Sequence, residues 1–125
     1  MHLKVGDIIK FERAFIEEDV ALFTKLSGDA GNHHTEPDEQ GRLIIQGLLT
    51  ATLPTKIGGD NNVLARTMYF EFLRPVFTGD TIVCEVTIDE LKKQENNRTS
   101  ISASFICSNQ YEKQVLSGSF AGIIR

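Results

Sequence analysis

Residues 27 to 34 read Ser-Gly-Asp-Ala-Gly-Asn-His-His, which sets a carboxylate, Asp29, five residues ahead of an imidazole, His34. The run is too rich in Gly, Asn and Asp for a helix interior and is expected to be a loop. A carboxylate and a neutral imidazole on one short loop can hold a water and take a proton from it. An apolar segment led by glycine follows at Gln46-Gly47-Leu48-Leu49. A helix starting there presents unpaired backbone N–H groups to any oxygen that gains negative charge. Water activation beside such a site is the chemistry of hydrating or hydrolysing an acyl compound. Each residue also has a plainer reading. Asp29 can bond nearby backbone N–H groups in a turn, His34 can be a solvated imidazole, and Gly47 can allow close packing. Asp29, His33, His34 and Glu36 are metal-ligand types. Adjacent histidines in one loop are a poor ligand signal, however, and no metal or organic cofactor is expected.

These residues must be positioned by elements with their own signatures. Residues 15–26 place Val20, Phe23 and Leu26 at helical spacing, with Glu17, Glu18 and Asp19 in the first turn and Gly28 just beyond the end. Acids at the start and a glycine past the end suit a helix dipole and C-cap, so the Asp29–His34 loop emerges from a helix C-terminus. A second helix is expected over 43–57, almost wholly apolar or small and ended by Gly58-Gly59-Asp60-Asn61-Asn62. Pro54 would disrupt its interior by on the order of 3 kcal/mol, so this helix must kink there or stop near Leu53. An extended stretch, Ile8-Ile9-Lys10-Phe11, precedes both.

The second half alternates in the manner of strands: Met68, Phe70, Phe72; Ile82, Cys84, Val86, Ile88; Ile101, Ala103, Phe105, Cys107; and Leu116, Gly118, Phe120, Gly122. Turn residues separate these runs, which predicts an antiparallel meander. The apolar face of such a sheet needs a partner, and the helix after Gly47 is the element apolar enough to supply it. The expected architecture is therefore α+β, an antiparallel sheet wrapped around a central helix. Residues 1–125 should form one domain.

Composition narrows the function classes. With 41% hydrophobic and 24% charged residues the chain is ordinary for a globular protein. Its net charge is −4 and its basic residues are scattered, which argues against nucleic acid as a partner. The first residues carry no apolar signal core and no segment approaches membrane-spanning length, so a cytoplasmic location without a membrane partner is expected. Cys84 and Cys107 lie in strand-like runs without CxxC spacing and are expected to be reduced.

Three segments together resemble the hot-dog fold of the MaoC-like dehydratases and (R)-specific enoyl-CoA hydratases. One runs from Phe15 through Asp19-Val20 and Phe23 to Leu26-Ser27-Gly28-Asp29, with His34 at the family's distance from the aspartate. The next is Gln46-Gly47-Leu48-Leu49, and the third is Phe70-Glu71-Phe72-Leu73-Arg74-Pro75-Val76-Phe77-Thr78-Gly79-Asp80-Thr81. The chain departs from the family at Gly31 and Asn32, where Asn and Pro are usual, and at Gln46, where histidine is usual. The resemblance implies an enzyme that adds water to a trans-2-enoyl thioester, or removes it from the (R)-3-hydroxy product. Asp29 and His34 would activate the water and the N–H of Gly47 would stabilise the enolate-like oxygen, with His33 pointing away. The implied partner is an acyl thioester of coenzyme A or acyl carrier protein, and the implied assembly is a homodimer. A hot-dog thioesterase and a non-catalytic acyl-CoA-binding module are the alternatives on the same scaffold. Lys56, Arg66, Lys92, Lys93 and Arg98 are candidates to meet coenzyme A phosphates, and Arg74-Pro75 is expected to be architectural.

Overall fold

The computed structural model describes residues 2–125. Strand β1 spans Ile8–Ala14 and helix α1 spans Glu17–Ser27; α2 is a single turn, Asn32–Thr35. Helices α3 and α4 span Gly47–Thr50 and Thr52–Asp60, followed by β2 (Val63–Phe72), β3 (Thr81–Lys93), β4 (Thr99–Ser108) and β5 (Gln114–Ile124). The strands form one five-stranded sheet in the order β1-β3-β4-β5-β2, and every neighbouring pair is antiparallel. α4 packs against β1, β2 and β3. The sheet wrapped on an apolar helix is thus the α+β arrangement that the alternating strands and the single apolar helix demanded.

The alternation decides which face is buried. Ile82, Cys84, Val86 and Ile88 of β3 face inward with Ile101, Ala103, Phe105 and Cys107 of β4, and all are nearly inaccessible. Leu49, Leu53 and Ile57 close the core from the helical side. Each buried aliphatic of this size contributes roughly 1.5–3 kcal/mol over its exposed state. Cys84 and Cys107 are register partners and both are free thiols. Their mutual hydrogen bond, with burial, pushes the Cys107 thiol up, which suits an inert core residue.

Three local expectations are corrected. Only β3, β4 and β5 form a meander; β2 lies beside β5 at the outer edge and β1 takes the place next to β3. Strand spacing in sequence does not fix spatial neighbours, and the eight residues 73–80 can pass the two intervening strands, β5 and β4, over three spacings of about 4.8 Å each. Second, 43–45 is not helical. Its backbone pairs with 76–78, through Ile45 N–H to the Val76 carbonyl at 2.8 Å and Thr78 N–H to the Leu43 carbonyl at 2.9 Å. The helix that follows runs through Gly58 and Gly59 to Asp60, and it is interrupted at Ala51 rather than at Pro54. Pro54 sits in the first turn of α4, where its missing N–H is tolerated, and the interruption falls one turn earlier because Pro54 cannot bond back to Thr50. Third, Leu26 is 83% exposed although it shares a helical stripe with buried Val20.

Candidate functional site

The loop at the end of α1 is shaped by its own side chains. Gly28 adopts φ 77° and its N–H closes the helix onto the Thr24 carbonyl at 2.9 Å, a backbone position that favours glycine. The Ser27 hydroxyl donates to the Phe23 carbonyl at 2.6 Å and accepts from the Asp29 N–H at 3.0 Å, turning the chain back toward the helix. Asp29 Oδ1 then accepts from the Gly31 N–H at 3.4 Å. The turn-residue reading of Asp29 therefore holds for one carboxylate oxygen and leaves Oδ2 unused. Next in the chain, α2 carries His33 and His34, so His34 stands on a single helical turn rather than on open loop.

His34 is fixed by the extended segment before Gly47. Ile44 donates its N–H to the His33 carbonyl at 2.9 Å, and its own carbonyl lies 2.6 Å from His34 Nδ1. A carbonyl only accepts, so Nδ1 carries the hydrogen and the neutral ring presents a lone pair at Nε2. Nε2 lies 3.5 Å from Asp29 Oδ2, with His34 6% and Asp29 52% exposed. The pair thus offers two acceptor atoms side by side, the carboxylate open to solvent and the imidazole held by burial. A water seated to one side of the pair can donate one hydrogen to each.

Gln46 is 1% exposed and sits immediately before α3. Its Nε2 donates to the Thr24 hydroxyl at 2.8 Å and to the Asp29 main-chain carbonyl at 3.3 Å, while Oε1 is buried without a partner. One side chain therefore joins α1, the aspartate loop and the start of α3. The sequence marked Gln46 only as a departure from the family pattern; its polarity among apolar neighbours was the available signal for this role.

Asp29, His34 and Gly47 all line a single cavity of ≈ 630 Å³. Among the described residues, no hydrogen-bond acceptor is paired with the Gly47 N–H. His33, expected to point away, also lines this cavity, its ring 3.9 Å from that of His34 between centroids. The turn of α2 puts the two rings side by side, whereas extended loop would have set them on opposite sides. Phe23, Leu48, Phe72 and Leu73 supply apolar wall, so the cavity joins a polar pair to an apolar surface. Arg74 and Pro75 line it as well, though the Arg74 guanidinium also donates to the Gln114 carbonyl at 2.7 Å and so serves the architecture too. Lys56, Arg66, Lys92, Lys93 and Arg98 lie outside the lining. Among the described residues no group of three or more His, Cys, Asp or Glu is arranged to hold a metal ion, and no helix is long and apolar enough to cross a membrane.

Comparison with known proteins sets this geometry in context. No protein-family model matches the chain. It is 27% identical over 103 residues to the 3-hydroxyacyl-[acyl-carrier-protein] dehydratase FERN, mitochondrial, of Solanum lycopersicum, covering 75% of this chain and 61% of that protein. It is 25% identical over 129 residues to the mitochondrial 3-hydroxyacyl-[acyl-carrier-protein] dehydratase of Arabidopsis thaliana, covering 98% of this chain and 78% of that one. Among solved structures, the unliganded R-hydratase PhaJ1 from Pseudomonas aeruginosa superposes with a TM-score of 0.81 at 25% identity, over 98% of this chain and 81% of that one.

Proposed function

We propose that this chain, which has the hot-dog fold of the MaoC-like hydratases and dehydratases, is an (R)-specific hydratase or dehydratase of 2-enoyl and 3-hydroxyacyl thioesters. The observation that carries the reading is that Asp29, His34 and Gly47 line one partly apolar cavity, with His34 Nδ1 held by the Ile44 carbonyl and Nε2 beside Asp29 Oδ2. The similar proteins named as R-hydratase and as 3-hydroxyacyl-[acyl-carrier-protein] dehydratases support the same reaction class. In the hydration direction, Asp29 Oδ2 orients a water and His34 Nε2 takes one of its protons. The water oxygen bonds to Cβ, and the electrons of the Cα–Cβ double bond move toward the thioester carbonyl. The Gly47 N–H meets the oxygen that gains charge, and the proton held on His34 is then delivered to Cα, which restores both the thioester and the neutral imidazole. The thioester itself acidifies Cα, so these residues need no metal or organic cofactor for the step.

The carrier is coenzyme A or acyl carrier protein. The working assembly is a homodimer joined through the edge of β2, where Leu64, Met68 and Tyr69 are exposed. An open, apolar strand edge of that kind is normally covered, and two-fold pairing is the commonest way to cover it. A reducing compartment suits the free thiols Cys84 and Cys107; we assign the cytoplasm, while the two plant relatives are named as mitochondrial. The test is to incubate the protein with crotonyl-CoA and, separately, butyryl-CoA, following enoyl absorbance and free thiol. Loss of enoyl absorbance without thiol release is expected. Thiol release from either substrate would transfer the site to thioester hydrolysis, and inactivity on both would leave a binding module.

A further inference from the structure

We infer that Phe72 sets the length of acyl group the cavity accepts, and that Gly47 is glycine because the Phe72 ring occupies the space of a side chain there. This inference rests on reading the cavity as an acyl-thioester site. A Cβ built on Gly47 would lie 2.7, 2.9 and 3.1 Å from three carbons of the Phe72 ring. Contacts under about 3 Å are not tolerated, so the ring and any side chain at 47 exclude each other. Phe72 is nevertheless 52% exposed and lines the cavity that holds Asp29 and His34. One face of the ring is therefore packed on Gly47 while much of the rest is free to meet a ligand. The ring is the end of an aromatic row: Phe70 lies 6.1 Å from Phe72 between ring centroids, Phe105 lies 5.8 Å from Phe70, and Phe120 lies 6.3 Å from Phe105. Phe105 and Phe120 are buried at 2% and 5% exposure, so the row runs from the cavity into the core and backs the Phe72 ring. An acyl chain that starts beside His34 and Gly47 runs against the Phe72 ring within a few carbons, and a longer one is accommodated only if the ring is removed.

The experiment measures binding of the saturated thioesters butyryl-CoA and octanoyl-CoA by calorimetry, which needs no turnover. Four proteins are compared: wild type, Phe72→Ala, Gly47→Ala and the double variant, each first checked for an unchanged circular dichroism spectrum and cooperative melting. Wild type is expected to prefer butyryl-CoA, and Phe72→Ala to shift the octanoyl-to-butyryl affinity ratio toward octanoyl by about tenfold or more, the scale of a few methylenes in an apolar pocket. Gly47→Ala should weaken butyryl-CoA binding by driving the ring into the cavity, and should cause no further loss once Phe72 is alanine. An affinity ratio unchanged by Phe72→Ala, or a Gly47→Ala loss that persists without the ring, overturns the inference even in a protein that hydrates crotonyl-CoA. The expected ratios in a protein that hydrates nothing uphold the wall and sink the hydratase reading. Failure of both thioesters to bind wild type overturns the two together.

Discussion

Asp29 and His34 differ in what holds them, and this sets what each substitution does. Asp29 is tied through Oδ1 to the Gly31 N–H, and an asparagine can keep that bond while losing the charge. Asp29→Asn should therefore fold normally and lose about 10²- to 10⁴-fold in kcat/KM on crotonyl-CoA, as removal of a proton-transfer group does. His34→Ala should lose as much, with an added stability decrease, because it leaves the Ile44 carbonyl without its 2.6 Å donor. His33 lines the cavity but makes no bond to the pair beyond its ring contact. His33→Ala should accordingly raise KM more than it lowers kcat, and steady-state kinetics would separate the two; a kcat loss equal to that of His34→Ala would make His33 the base. Gln46 acts one layer out. Gln46→Leu removes the donors to Thr24 and to the Asp29 carbonyl, which should destabilise the fold by about 1–3 kcal/mol in urea unfolding and lower kcat at unchanged KM.

Among elements, the join between β2 and β5 is the most constrained. Gly118 faces Phe70 in the register, and a Cβ there would stand 1.9 Å from the Tyr69 carbonyl and 2.8 Å from the Phe105 ring. Gly122 is equally crowded, with the Leu64 carbonyl at 2.2 Å. The obstruction is backbone, which cannot turn aside as a side-chain tip can. Gly118→Ala should force β2 away from β5 and lower stability by about 1–3 kcal/mol, the usual range for overpacking. It should also reduce activity, since β2 ends at Phe72 on the cavity wall. Chemical denaturation with a parallel hydration assay tests both; an alanine variant as stable as wild type would mean that the strands join less tightly than their register shows. The glycines are thus part of what holds the wall in place, although they lie well along the strand from Asp29 and His34.

For the whole molecule, the sheet leaves two edges, β1 and β2, and they differ in character. β1 exposes Ile8 among Lys10, Glu12 and Arg13, while β2 exposes Leu64, Met68 and Tyr69 beside Arg66 and Glu71. Three charges screen the one exposed large aliphatic of β1, whereas on β2 only Arg66 and Glu71 stand among the exposed apolar side chains. Light scattering at micromolar concentration should report twice the 13.9 kDa chain mass, and Met68→Lys should shift the population toward monomer. A 13.9 kDa species alone in the wild type would remove the dimer.

What the sequence determined by itself was whatever depends on local period and local chemistry. Period-two alternation showed which side chains of β3 and β4 are buried, because a strand presents its faces in strict turn. Asp29 and His34 could be singled out by residue type and spacing, but those alone left the turn and solvated-ring readings open, and it was the resemblance to a family that favoured a site. What lay beyond it was whatever depends on contacts between distant segments. The order of strands, the bond from Ile44 that fixes the His34 tautomer, the tie from Gln46 to Asp29, and the Phe72 ring on Gly47 join residues 10, 17 and 25 positions apart in the chain. Such pairings are set by how the sheet closes around α3 and α4 as a whole, since packing is a property of the assembled surfaces and no local period encodes it.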